Sequence, residues 1–249
     1  MGIKNTHGFT IIEVMLFLAV TGLLAIGILA GSGVAIGQQR YRDSVNSMKS
    51  LLQEQYNQTS NTVNSRPGDE SCANAVVTEP PSSVPNPQAR GTSDCLIMGR
   101  LIVVGADGKQ LTGSSVVGYR TSDTAQQEST DIAELTTNYV LGVSPDGQLT
   151  DTVEWDARVV EPKTTTPFPV SILIIRSPLG GSVMTFVREG VQTNLNSMLS
   201  AGVSADKTDL CIDAPLGTFV GDRLAVRVNG YATSASGIEI PPESDNICD

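Results

Sequence analysis

One uninterrupted apolar run dominates the N-terminal part of the chain. Residues 14–37 contain only two polar side chains, Thr21 and Ser32. As an α-helix this stretch is roughly 36 Å long, which is enough to cross the hydrocarbon core of a bilayer. A secretory signal peptide would have a shorter apolar region followed by a small-residue cleavage site, whereas this run continues into a polar segment. The pattern therefore predicts a membrane-spanning helix.

Beyond the apolar run, residues 38–63 show a mixed pattern with helical periodicity. This periodicity is typical of one face of an amphipathic helix. Glycine and proline are absent from this stretch, so nothing in it ends a helix. The prediction is one continuous helix over residues 9–61, roughly 80 Å long, whose second half packs against a globular domain. The apolar positions of the stripe are Tyr41, Val45, Met48, Leu52 and Tyr56.

Residues 64–95 break this pattern with five prolines and many small polar residues, which predicts a long surface loop. After Cys95 the pattern becomes that of β-strands separated by turns, including Asp-Gly pairs at 107–108 and 146–147. The fold class expected is α+β, with the long helix packed on a mainly antiparallel β-sheet domain. A short helix is also expected near 191–198, and strands are expected over 96–104, 116–119, 139–143, 153–160, 170–175, 183–187, 210–212, 223–228 and 236–240.

The segment before the apolar run has a specific combination of features. A short leader containing Lys4 ends at Gly8 and is followed by Phe9. Glu13 lies immediately before the apolar run. A carboxylate in that position is costly in a membrane, and ionisable groups there are usually paired and functional. Together these residues resemble the class III signal of type IV pilins and type II secretion pseudopilins.

The resemblance implies a processing pathway and a set of partners. A prepilin peptidase would cut after Gly8 and methylate the new N-terminus at Phe9. Glu13 would then pair with the N-terminal amine of a neighbouring subunit during assembly. Further implied partners are other pilin or pseudopilin subunits, an inner-membrane assembly platform and membrane lipid.

Charge and histidine content argue against other function classes. The formal net charge is −10, and loss of residues 1–8 would remove Lys4 and make it more negative. Nucleic-acid binding is therefore not expected, because it depends on Lys and Arg contacts to phosphate. The only histidine is His7, so a mature chain would lack it. We expect no enzyme, no cofactor and no metal site, since histidine-dependent triads and ligand sets are excluded.

The chain has four cysteines with no closely spaced pair, which disfavours a zinc site. Two disulfides in an oxidising compartment are expected, with four buried free thiols as the alternative. Three connectivities are possible, and we favour the two local pairings, Cys72 with Cys95 and Cys211 with Cys248.

The orientation in the membrane rests on opposing signals. Lys4 favours a cytoplasmic N-terminus, but Arg40, Arg42 and Lys49 lie just beyond the other end of the run. The cysteines and the leader both favour a domain outside the cytoplasmic membrane.

Five glycines in the run allow close helix packing, or allow the helix to loosen and stretch within a filament. These glycines are Gly22, Gly27, Gly31, Gly33 and Gly37.

The leading hypothesis is a structural subunit, a minor pilin or pseudopilin, of a cell-surface or periplasmic filament. The large β-rich domain and the proline-rich loop favour a minor subunit. One alternative is a tip adhesin that binds a cell surface or DNA, and another is a membrane-anchored outer domain that never polymerises. The predicted segments are a leader (1–8), a transmembrane or filament-core helix (9–37), its amphipathic half (38–63), a loop (64–95) and a β-rich domain (96–249).

Overall fold

A computed structural model describes residues 10–61, 71–78, 93–122, 126–200, 207–215, 221–230 and 232–249. The fold is α+β, as predicted: one long N-terminal helix is followed by antiparallel β-sheets. The helices are α1 (Ile11–Ser60), α2 (Asp131–Asn138) and α3 (Leu195–Ser200). The strands are β1 (Ser71–Ala73), β2 (Val76–Thr78), β3 (Cys95–Val104), β4 (Gln110–Arg120), β5 (Tyr139–Thr152), β6 (Arg158–Val160), β7 (Val170–Arg176), β8 (Val183–Glu189), β9 (Lys207–Asp213), β10 (Ala225–Asn229) and β11 (Ile238–Glu239).

Helix α1 is continuous over 50 residues, which confirms the prediction of one long helix. Its length is about 75 Å at 1.5 Å per residue. Thr10 is the N-cap, and its side-chain oxygen accepts a hydrogen bond from the backbone N–H of Glu13 at 3.3 Å. At the other end, the N–H of Asn61 donates to the carbonyl of Asn57 at 2.9 Å. Nothing in the intervening sequence removes a backbone donor, because there is no proline.

The strands within the described ranges form three antiparallel sheets. The large sheet has the order β5-β4-β3-β7-β8, the small sheet has the order β11-β10-β9-β6, and β1 pairs with β2 in a separate ribbon. The first hairpin of the large sheet turns at the predicted Asp107-Gly108 pair, where Gly108 has a φ of +71°. Such left-handed geometry is what glycine supplies without steric cost.

The C-terminal half of α1 packs into the main core between the two larger sheets. All five residues of the predicted stripe are buried, with Val45, Leu52 and Tyr56 fully so. Their neighbours come from both sheets, including Ile172 of β7 and Ile212 of β9. The periodicity of the sequence therefore identified the packing face of the helix correctly.

A second core lies on the opposite face of the large sheet. Strand β7 supplies Ile172 and Ile174 to the main core, and Leu173 and Ile175 to this second core. Helices α2 and α3 cover it with buried leucines and Met198. Because both faces of β7 are covered, its sequence is a continuous apolar run rather than an alternating one.

Two predictions for the β region were wrong. The Asp146-Gly147 pair is not a hairpin turn but lies inside β5, where Gly113 pairs with Leu149 and Ser115 pairs with Ser144. Residues 145–148 thus form an irregularity in a continuing strand, which the φ of +64° at Gly147 permits.

The strand predicted over 153–160 is also only partly present. Residues 154–156 form a 3₁₀ turn, and pairing with β9 begins at Arg158. Trp155 and Asp156 both have left-handed backbone angles, which are incompatible with an extended strand. Helix α2 was not predicted, and the ribbon formed by β1 and β2 lies within the stretch expected to be a loop.

Candidate functional site: the exposed half of α1 and its junction with the domain

The N-terminal half of α1 projects from the domain without any cover. The exposed fraction of its large apolar side chains ranges from 46% at Val14 to 78% at Ile11. Among the described residues, α1 is the one helix long and apolar enough to cross a membrane, and its most apolar window is entirely unburied. An apolar surface of this size marks a membrane or protein contact. This half of the helix is therefore the principal candidate interaction surface.

Glu13 is the only charged residue of this exposed half. Its side chain is exposed, and within the described part of the chain no cation pairs with it. Glu13 occupies the third helical position after the cap Thr10, which is the spacing of a capping box. A carboxylate there also interacts favourably with the helix dipole. The proposed cleavage site, Gly8 and Phe9, lies outside the described residues.

Tyr41 fixes the helix on the domain just beyond the apolar half. Its hydroxyl donates to the carbonyl of Ile212 at 2.8 Å and accepts from the N–H of Leu224 at 2.6 Å. Burial raises the pKa of Tyr41 to about 12, against a smaller lowering effect of the Leu224 hydrogen bond. The neutral phenol therefore links α1 to the small sheet.

A second set of polar contacts lies near the C-terminal end of α1. Arg100 of β3 is buried and donates to the side-chain oxygen of Gln55 at 2.8 Å, to the Ser115 hydroxyl at 2.7 Å and to the Gly147 carbonyl at 3.0 Å. Burial lowers the pKa of the Arg100 guanidinium, which nevertheless stays protonated because its ordinary value is so high. The hydroxyl of Tyr56 is hydrogen-bonded to that of Thr185.

The four cysteines form two disulfides, and the pairing is the local one. Cys72 of the ribbon joins Cys95 at the start of β3, and Cys211 of β9 joins Cys248 in the C-terminal tail. The second bridge spans 37 positions, for which the chain-entropy model gives a stabilisation of roughly 4 kcal/mol. Arg223 reinforces it by binding the Asp249 carboxylate at 2.9 Å.

The contacts between α1 and the domain include one that the sequence did not predict. The guanidinium of Arg40 lies over the ring of Trp155, 4.7 Å from its centroid. Trp155 is the only tryptophan in the chain and is half exposed. The sequence identifies Trp155 as a single tryptophan, but only the fold shows that Trp155 contacts α1.

Comparison with protein families adds a finding at the N-terminus. Residues 3–29 match the model of the prokaryotic N-terminal methylation motif. The chain carries a prepilin-type N-terminus. The matched motif supports membership of the type IV pilin and pseudopilin family, and the long helix with its exposed apolar half is consistent with it. No curated protein and no solved structure matches the chain.

The prepilin-type motif implies processing by a prepilin peptidase and assembly with other pilin subunits. It indicates a structural protein rather than an enzyme. In the described ranges, no three His, Cys, Asp or Glu side chains come together as a potential metal site. The chemistry that the described residues offer is therefore that of a surface: an apolar helix, one carboxylate and an aromatic–cation junction.

Proposed function

We propose that this chain is a structural subunit, a minor pilin or pseudopilin, of a type IV pilus or a type II secretion-like filament. One observation carries the proposal: the match to the methylation motif includes much of a helix half that the described domain leaves uncovered. Lipid covers that surface before assembly, and helices of other subunits cover it afterwards. The large domain of two packed sheets favours a low-copy subunit.

Processing prepares the N-terminus for assembly. The peptidase cuts after Gly8, and the methylated amine of Phe9 then lies one residue before the N-cap Thr10. A cation at the start of a helix is unfavourable because the helix dipole is positive there. A nearby carboxylate therefore stabilises the charged amine, and Glu13 provides such a carboxylate.

Assembly moves the apolar half of α1 from lipid into a bundle of similar helices. This transfer gains little hydrophobic free energy, because lipid tails are as apolar as the helix surfaces. Polar contacts can then set the register between subunits. Glu13 is the candidate, since an uncompensated carboxylate in an apolar bundle costs several kcal/mol. Its partner is the Phe9 amine of a neighbouring subunit.

The domain lies outside the cytoplasmic membrane in this proposal. Both disulfides are buried and need an oxidising compartment to form. Arg40 and Arg42 oppose this orientation by simple charge counting. In the folded protein, however, both are engaged with the domain: Arg40 stacks on Trp155, and Arg42 lies 3.7 Å from Glu243.

Two substitutions separate the pairing role of Glu13 from a capping role. Glu13→Gln keeps the size and the hydrogen-bonding capacity that a capping box requires but removes the charge. We expect this variant to be processed and membrane-bound but absent from sheared filaments. Thr10→Ala removes the cap at a cost of about 1 kcal/mol and keeps the charge, so it should still assemble. Normal incorporation of Glu13→Gln would overturn the pairing argument.

The adhesin alternative depends on the loop over 64–95. Most of that loop, residues 64–70 and 79–92, lies outside the described residues, and no described contact favours a ligand there. The non-polymerising alternative makes a different prediction from ours, because such a protein would be absent from sheared filaments under every growth condition.

A further inference from the structure

Trp155 stands on a rigid turn at the junction between α1 and the domain. The residue has a φ of 57° and a ψ of 32°, and Asp156 has a φ of 58°. Two successive non-glycine residues in the left-handed region are costly and persist only where the surroundings hold them. Half of the Trp155 side chain is nevertheless exposed. The protein thus fixes the backbone of a large aromatic residue while leaving its ring accessible.

The support for this turn comes from the β3–β4 hairpin. The N–H of Val153 donates to the carbonyl of Lys109 at 2.9 Å, and the N–H of Val159 donates to the carbonyl of Gly108 at 2.8 Å. Lys109 also forms an ion pair with Asp156. The approach is so close that a side chain at Gly108 would lie 2.3 Å from the Val159 carbonyl oxygen. These contacts hold the turn on both sides of Trp155.

The position of Trp155 along α1 coincides with the end of the apolar run. Arg40, on which the ring stacks, is three residues beyond Gly37, or about 4.5 Å along the helix axis. A groove of about 700 Å³ lies between the helix and the turn. Its walls include Leu29 and Gly33 of the apolar run on one side and Trp155 on the other. The groove therefore extends across the depth at which the helix passes out of the hydrocarbon core of the membrane.

The chemistry at this level fits a lipid headgroup layer. Tryptophan is enriched at membrane–water interfaces because its ring is apolar and its N–H is polar. An arginine at the same depth can reach headgroup phosphates while its methylene groups remain among apolar atoms. Trp155 thus offers an aromatic anchor, and Arg40 beside it offers a cation at the same level of the junction.

We propose that Trp155 and Arg40 seat the domain on the outer-leaflet headgroups of the cytoplasmic membrane before assembly. This inference rests on the proposed membrane insertion of α1 and goes beyond it. The helix alone fixes only the depth of the chain. The second contact point at Trp155 also limits the tilt of the helix and domain against the bilayer plane, so waiting subunits share one inclination.

Fluorescence of the single tryptophan tests this contact without any label. The full-length protein is reconstituted into phosphatidylcholine–phosphatidylglycerol vesicles, with lipids brominated either near the headgroup or near the end of the acyl chain. We expect shallow bromines to reduce Trp155 emission roughly twofold and deep bromines to reduce it much less. The matched control, Trp155→Phe with Leu96→Trp, places an exposed tryptophan at the far end of β3, and its emission should be insensitive to both lipids.

Carbonate extraction of the same vesicles separates two kinds of failure. Unquenched Trp155 in carbonate-resistant protein would overturn the headgroup contact while leaving membrane anchoring intact. Protein that carbonate removes would instead contradict the proposed insertion of α1, and with it the basis for the contact. Quenching by shallow lipids that is equal in the Leu96→Trp control would also overturn the proposal, because it would show non-specific adsorption of the domain. A shielded Trp155 in filaments but not in vesicles would assign the groove to a neighbouring subunit instead.

Discussion

The hydroxyl of Tyr41 donates a hydrogen bond to the carbonyl of Ile212, 2.8 Å away, across 171 positions of sequence. This bond joins the long helix to the small sheet at the point where the helix leaves the apolar run. The same hydroxyl accepts from the N–H of Leu224 on the neighbouring segment. One side chain therefore satisfies two backbone groups of the domain and holds the helix against it.

Replacing Tyr41 with Phe should destabilise the protein by about 1–3 kcal/mol. The substitution leaves the carbonyl of Ile212 and the N–H of Leu224 without their partner in a buried site. Urea unfolding in detergent micelles measures the loss. Tyr119→Phe, at a half-buried position on β4, is the control and should change stability much less. Equal effects of the two substitutions would contradict the role assigned to the Tyr41 hydroxyl.

Alkaline pH should destabilise the protein through two buried tyrosines. Burial raises the pKa of both Tyr41 and Tyr56 from 10.0 to about 12. Between these values the unfolded chain loses its phenolic protons while the folded chain keeps them, so stability falls as pH rises. The loss is about 1.4 kcal/mol per tyrosine per pH unit. Unfolding of wild type and of the Tyr41→Phe/Tyr56→Phe variant at pH 9 and pH 11 measures it. A loss of the same size in the double variant would contradict this explanation.

Arg100 and Gln55 should be energetically coupled. Gln55→Leu removes an acceptor from a buried cation, which should cost about 1.5–3 kcal/mol. When Arg100 is already Met, the same change at Gln55 should cost much less, because no charge then needs the acceptor. A double-mutant cycle of unfolding free energies in detergent measures the coupling. Additive effects would show that the 2.8 Å contact contributes nothing specific.

The glycines of the apolar run should control how far the helix can loosen. At Gly22, Gly27 and Gly31 an added Cβ would meet nothing within 4 Å in the protomer. Alanine at these positions should stabilise the helix by roughly 0.5–1 kcal/mol each and slow backbone hydrogen exchange there. We expect filaments containing the triple variant to extend less under force.

The matched control for that experiment is Ala19→Ser with Ala25→Ser, which adds atoms at exposed neighbouring positions without changing the glycine content. If filaments of the control variant also extend less under force, the reduced extension would come from altered helix packing and not from the loss of glycine. Unchanged hydrogen exchange in the glycine variant would argue against a loosened helix.

The sequence was sufficient for features that depend on local periodicity. The buried stripe from Tyr41 to Tyr56 follows from the 3.6-residue repeat, and the continuous strand β7 follows from its apolar run. The sequence also carries a local signal for helix α2, since Thr130 caps it and Asp131 begins an acidic first turn.

The errors concern features that local sequence does not specify. The Asp146-Gly147 pair can make a hairpin turn or an irregularity within a strand, and only pairing with β4 decides which. The contact of Trp155 with Arg40 joins residues that are far apart in sequence, so neither residue predicts the other. The Glu13 carboxylate was predicted as an assembly residue from its place within the motif, and that role stays a prediction.

Cleavage after Gly8 should depend on the absence of a side chain at that position. We expect a bulky residue there to leave the leader attached, so that the protein accumulates in the membrane as the heavier precursor. Substitution of Lys4 by Gln is the control within the leader and should permit cleavage. Gel mobility of the Gly8 variant identical to that of the processed wild type would contradict the assignment of the cleavage site.

N-terminal mass spectrometry of the protein from membrane and sheared-surface fractions tests the central proposal most directly. The account predicts a chain that begins at N-methylated Phe9 in both fractions, because processing precedes assembly and the processed subunit enters a filament. A chain that begins at Met1 or Gly2 and is confined to the membrane would contradict it.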